Sequence, residues 1–178
     1  MTRWFRFRWS FLILFVLSAT LFACDECAAG EWRSEELNCA LTLPAGPEWK
    51  QPSAPNPAVP ALAQTIDQST TVMLMVVPLP ARAKLDDEFV RNYEEGRYQF
   101  GKSKKLSGER LTIQGVPAYR ATYEIGAAGN SAYSTTIVWI ADGKFYSLGA
   151  IKRTGPPLED PSVRAFLASF HFLKPPGV

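Results

Sequence analysis

Apolar positions recur along this chain with two periods. Residues 37–43 alternate Leu, Cys or Ala, and Leu, as a strand with one buried face does. Residues 61–67 and 71–78 form a further strand pair, whose second member is rich in Val and Met and reads as central and buried. Between the first strand and this pair stand Pro44, Pro47, Pro52, Pro55, Pro57 and Pro60. Proline lacks the backbone donor that helices and ladders use, so residues 44–60 are a loop, one that carries Trp49 back onto the core. The period then changes. Phe89, Val90, Tyr93 and Arg97 share one face of a helix capped by Asp86 or Asp87, running to about Tyr98 and stopped by Gly101.

Alternation returns over residues 103–114, 116–125, 131–141 and 144–152. Their links are Gln114-Gly115, residues 126–130 and Asp142-Gly143, each short and each holding a glycine able to take positive φ. Links this short force antiparallel neighbours, because a parallel return needs a crossover of about a dozen residues or more. Asp142-Gly143, between Ile140 and Phe145, is the most specific of these turn signals. After a proline turn over 154–158, Asp160 caps and Pro161 opens a last helix. Val163, Phe166, Leu167 and Phe170 give that helix one apolar face, and a short strand closes the chain. The pattern predicts an α+β domain, a mostly antiparallel meander of about six or seven strands packed against two helices.

Ahead of this domain, Arg3, Arg6 and Arg8 precede an apolar stretch over residues 11–23 that only Ser18 and Thr20 interrupt. The stretch has 13 residues, whereas a membrane-crossing helix needs about 20. Residues 1–23 therefore read as a removable export signal, 24–36 as a tether and 37–178 as one globular domain. Leu21, Phe22, Ala23 and Cys24 resemble the lipobox of bacterial lipoproteins, in which the cysteine sulfur is joined to diacylglycerol. That resemblance implies lipidation at Cys24 and a membrane as the first partner, and Asp25 resembles the signal for retention in the inner membrane of Gram-negative bacteria. Cys27, Ala28 and Ala29 also permit ordinary leader cleavage after Ala29, which would leave a free periplasmic or secreted domain.

Charge narrows the class of partner. Removing the leader takes three of the 19 basic residues and none of the 17 acidic ones, so the formal net charge of +2 becomes −1. Nucleic-acid binding needs clustered positive charge, which a domain of this balance lacks. Lys102, Lys104 and Lys105 make the one dense basic spot, which reads as a solvated strand edge. With Cys24 lipidated, Cys27 and Cys39 can pair in an oxidising compartment; otherwise Cys39 is a small buried residue of its strand. A structural zinc site wants four ligands, and His171 is the single histidine.

The same poverty of histidine weighs against acyl-transfer chemistry, because a serine nucleophile needs a base. His171 lies between Phe170 and Phe172 on the closing strand, where alternation turns it to solvent. Asp86-Asp87-Glu88, Glu94-Glu95 and Glu159-Asp160 stand at helix starts or on a helix face, where acids cap and solubilise. No serine sits in a nucleophile elbow, and the glycines over 126–129 join two strands instead of opening a helix. The sequence thus predicts no catalytic, cofactor-binding or metal-binding residue.

Several short stretches carry a family resemblance: Leu41-Thr42-Leu43-Pro44 with Trp49, Gly115 with Tyr119, Phe145-Tyr146-Ser147-Leu148 after its hairpin, and Ala168-Ser169-Phe170-His171-Phe172 at the end. With the order of elements, they resemble the PsbP-like superfamily over residues 37–173. The resemblance implies a sheet flanked by helices, an α/β/α sandwich. It also implies a role in binding, since the superfamily includes an extrinsic photosystem II protein, a small Ran-binding import factor and bacterial envelope lipoproteins. The expectation is a non-enzymatic cell-envelope binding or assembly module with a protein partner. A carrier enclosing a small apolar ligand between sheet and helices is the alternative.

Overall fold

The computed structural model describes residues 30–52, 56–80, 82–126 and 131–177. The leader, Cys24 and Cys27 lie outside the described residues. Seven antiparallel strands form the main sheet in the order β3-β4-β5-β9-β8-β7-β6. They are β3 (Trp49–Lys50), β4 (Ala61–Thr65), β5 (Thr70–Pro78), β6 (Lys104–Ile113), β7 (Val116–Ile125), β8 (Ala132–Ala141) and β9 (Lys144–Lys152). A small sheet adds β1 (Glu31–Ser34), β2 (Cys39–Thr42) and β10 (His171–Phe172) in the order β1-β2-β10. Helix α1 (Asp87–Gly101) joins β5 to β6, and α2 (Pro161–Ser169) follows a single 3-10 turn at Pro157–Glu159. The expected meander is β6 to β9, and the α+β sandwich with two helices is the observed architecture.

The order of the strands explains what α1 does. After β5, mid-sheet, the chain crosses to the far edge at β6 and then meanders back until β9 pairs with β5. The crossing helix therefore lies over β7, β8 and β9. Phe89, Val90 and Tyr93 pack there on Tyr119, Ala121, Tyr123, Val138 and Phe145. The opposite face carries the larger core. Val72, Leu74 and Val76 of β5, with Trp139, Tyr146 and Leu148, meet Val163, Phe166 and Leu167 of α2 and Cys39 and Leu41 of the small sheet. Trp139 stacks on Tyr146 with centroids 5.3 Å apart, and Phe170 and Phe172 meet Tyr146 edge-on at 6.2 and 6.0 Å.

Two expectations need correction. Residues 31–34, read as part of the tether, are strand β1, because their backbone pairs with residues 39–42 and Trp32 packs against the main core. Gly101 is the last helical residue of α1, and Lys102 takes the left-handed position that ends it, with φ of 46°. The proline-rich segment does bring Trp49 to the core, where a two-residue strand pairs it with Thr65.

A cleft at the end of the crossing helix

Arg97 falls on the inward stripe of α1 one turn beyond Tyr93, so the helix carries a cation towards the sheet where the apolar stripe ends. Its guanidinium carbon lies 4.8 Å from the ring centroid of Tyr123 on β7. Tyr123 is 1% exposed. Its hydroxyl has no hydrogen-bond partner among the described residues, and neither have Nε and Nη2 of Arg97. Buried polar groups are nearly always paired, so three orphan donors on two stacked side chains mark this place out.

A cleft of about 560 Å³ opens beside Tyr123, lined by Arg91, Glu94, Glu95 and Tyr98 of α1, by residues 102–105 and by Tyr123 itself. Tyr98 stands at its mouth, 70% exposed. The cations are Arg91, Lys102, Lys104 and Lys105, against the carboxylates Glu94 and Glu95. Lys105 Nζ lies 2.5 Å from Glu94 Oε1, and Gln99 donates to Glu95 Oε1 at 2.8 Å. Arg91, Lys102 and Lys104 make no ion pair among the described residues, so the cleft keeps an excess of positive charge. The C-terminal dipole of α1 opposes this by about 0.3–1 kcal/mol for an anion at its end, less than several nearby cations supply.

Beside the cleft, Glu94 Oε1 also accepts from the Tyr119 hydroxyl. Gly108 makes room for that contact: a Cβ there would land on the Tyr119 hydroxyl. Burial, together with the Glu94 contact, raises the pKa of Tyr119. Glu94 raises that of Lys105. Burial would push Glu94 upward, but the bonds from Lys105 and Tyr119 outweigh it and leave Glu94 lowered. Burial pushes the Tyr123 hydroxyl strongly upward, so it stays protonated and is a donor.

The structure separates the acidic clusters that stand together in sequence. Asp86 caps α1 by accepting from the Phe89 N–H at 2.8 Å, and Asp87 meets Arg110 at 2.6 Å. Glu94 faces the tyrosines while Glu95 stays on the exposed face of the helix. Asp160 caps α2. His171 is half-exposed, with Nε2 3.6 Å from Glu31 Oε1, and Phe170 and Phe172 are buried on either side of it. Cys39 is fully buried in β2, and burial pushes its thiol up to about 11. Among the described residues no three His, Cys, Asp or Glu side chains gather as metal ligands would.

Neither a family model nor a curated protein matches the sequence. Solved structures do match. The solution structure of cyanobacterial PsbP from Synechocystis sp. PCC 6803 superposes with a TM-score of 0.63 at 14% identity, over 85% of this chain and 98% of that one. A point mutant of Mog1 gives 0.55 at 8% identity over 82% and 96%, and a protein of Bacteroides thetaiotaomicron VPI-5482 gives 0.56 at 11% over 83% and 50%. At these identities the likeness is one of fold: the chain has the fold seen in cyanobacterial PsbP.

Proposed function

We propose that this protein is a non-enzymatic binding or assembly module of the cell envelope, tied to a membrane through a lipid on Cys24. The binding part rests on the cleft, which Tyr123 lines with a buried hydroxyl that has no partner and which the exposed Tyr98 borders. The fold it has in common with PsbP and Mog1 supports the same reading by analogy. The network beside the cleft supports the non-enzymatic part. An acid–base catalyst works best with its pKa near the working pH. Here Tyr119 and Lys105 are moved up and Glu94 down, each away from neutrality. The envelope and anchor rest on the leader pattern and on the lipobox resemblance ending at Cys24.

Two measurements on protein purified from its native membrane test this. Its intact mass is expected to carry acyl groups that Cys24→Ala abolishes; an unmodified chain starting at Gly30 would overturn the anchor. Native mass spectrometry is expected to retain a polar ligand, or a photo-crosslinker at position 98 to trap a protein. Finding neither would overturn the binding role.

A further inference from the structure

We propose that the cleft at the end of α1 binds an oxyanion, the phosphate or carboxylate of its ligand, which accepts hydrogen bonds from the Tyr123 hydroxyl and the Arg97 guanidinium. This deepens the binding-module reading and rests on it. Three observations converge on an acceptor. Tyr123 is 1% exposed, lines the cleft and has a hydroxyl without a partner. Arg97 stacks against the ring of that tyrosine with two buried N–H groups equally unpartnered. Along the cleft that Tyr123 lines, Arg91, Lys102 and Lys104 carry charge that no carboxylate among the described residues neutralises through an ion pair.

Every orphaned group here is a donor. Arginine has no acceptor atom, and a hydroxyl held protonated offers its hydrogen. A neutral amide would satisfy one of them, whereas an oxyanion presents several lone pairs and matches the fork of the guanidinium. The sequence places these donors by two independent means. Helical spacing brings Arg97 inward after Tyr93, and pairing of Lys105 with Tyr123 sets the tyrosine beneath the first residues of β6. The β-bulge between Lys105 and Ser107 interrupts the β6–β7 pairing just beyond the residues that line the cleft.

The oxyanion can belong to a soluble metabolite or to a lipid headgroup, and one titration separates the two. The processed full chain is followed by NMR at the Arg97 Nε–H, first with inorganic phosphate against chloride of equal ionic strength. Vesicles of phosphatidylcholine, with and without phosphatidylglycerol, follow. A saturable shift with phosphate identifies a soluble anion, and one seen only with phosphatidylglycerol identifies a headgroup. No shift beyond the chloride and phosphatidylcholine controls overturns the proposal.

Tyr123→Phe keeps the ring under Arg97 and removes the hydroxyl. It is expected to weaken the response about tenfold, the loss of one charge-assisted hydrogen bond. Without anion it should melt no lower than the parent, because the hydroxyl it loses has no partner. A variant that melts lower and binds phosphate as before would give the hydroxyl a structural role and overturn the site. Failure of these titrations would leave the acyl mass and the crosslink from position 98 standing, so it is distinguishable from failure of the binding role itself.

Discussion

Asp160 uses its two carboxylate oxygens on different partners. Oδ1 accepts from the N–H groups of Ser162 and Val163 at 3.0 and 3.4 Å, and Oδ2 from Lys152 Nζ at 3.0 Å. Burial alone would raise the pKa of this carboxyl, but the bonds from Lys152 and from the helix N-terminus outweigh it, so the folded value lies below the ordinary 3.8. A carboxyl depressed on folding stabilises the native state above its unfolded pKa and loses that contribution as the pH falls through the folded one. Asp160→Ala should therefore cost about 1–2 kcal/mol at neutral pH in urea unfolding. The gap between parent and variant should close as the pH is taken below 3.8. Asp160→Asn, which retains a capping oxygen, should lose less. Asp160 as a cap was readable from its place before Pro161, but Lys152 was not, since the pair forms only when β9 and the start of α2 are brought together. The candidate site divides in the same way. Arg97 on an otherwise apolar stripe was visible in the sequence, and a buried cation is a signal. The lysines and glutamates read as solvated one by one, and nothing in the order of residues says that Tyr123 is buried without a partner.

Elements whose geometry is fixed by neighbouring residues were the most legible. Asp142 and Gly143 have φ of 49° and 66°, the paired positive values of a primed hairpin turn, and Gln114 and Gly115 repeat it at 48° and 86°. Glutamine is an unusual choice for the first of these positions. Its side chain reaches across the molecule to accept from the Phe172 N–H at 2.9 Å, as Asp142 accepts from the Gly177 N–H at 2.7 Å, so both turns fasten the C-terminal segment. Strand β1 was missed for the opposite reason. It exists through pairing with β2, and its four residues have too little apolar alternation to declare it. Glycines in different elements should respond to alanine with opposite signs. Gly115 has no atom near its would-be Cβ, so Gly115→Ala should cost about 1 kcal/mol through its positive φ alone. Gly96 lies inside α1 with the same open space and no positive φ, so Gly96→Ala should gain about 1 kcal/mol. Paired urea titrations check both, and equal signs would contradict the assignment of α1 and of the turn.

At the scale of the molecule, the two faces of the sheet are held in different ways. On one face α2 and the three strands of the small sheet close over one continuous core, and Ser169 Oγ accepts from the Thr42 N–H at 2.9 Å to bind α2 to β2. On the other face α1 lies alone. Phe89, Val90 and Tyr93 are only partly buried against the second core, and the polar ties are Tyr93 to Thr136 at 3.0 Å, Arg110 to Asp87 at 2.6 Å, and Glu94 to Tyr119 and Lys105. Local opening follows the weakest layer, because the opening free energy is set by the apolar area and hydrogen bonds given up. Amide exchange in α1 should therefore proceed through an opening less costly than the one that exposes β2, β8 and β9. Hydrogen exchange measured residue by residue checks this, and equal protection of α1 and β8 would show that the two layers open as one. The arrangement bears on the cleft as well. Arg97 sits on the helical layer and Tyr123 on the sheet, so an oxyanion held by both joins helix to sheet at the end farthest from the Asp86 cap. Phosphate or anionic vesicles, whichever shifts Arg97, should then slow exchange in the last turns of α1 and leave α2 unchanged.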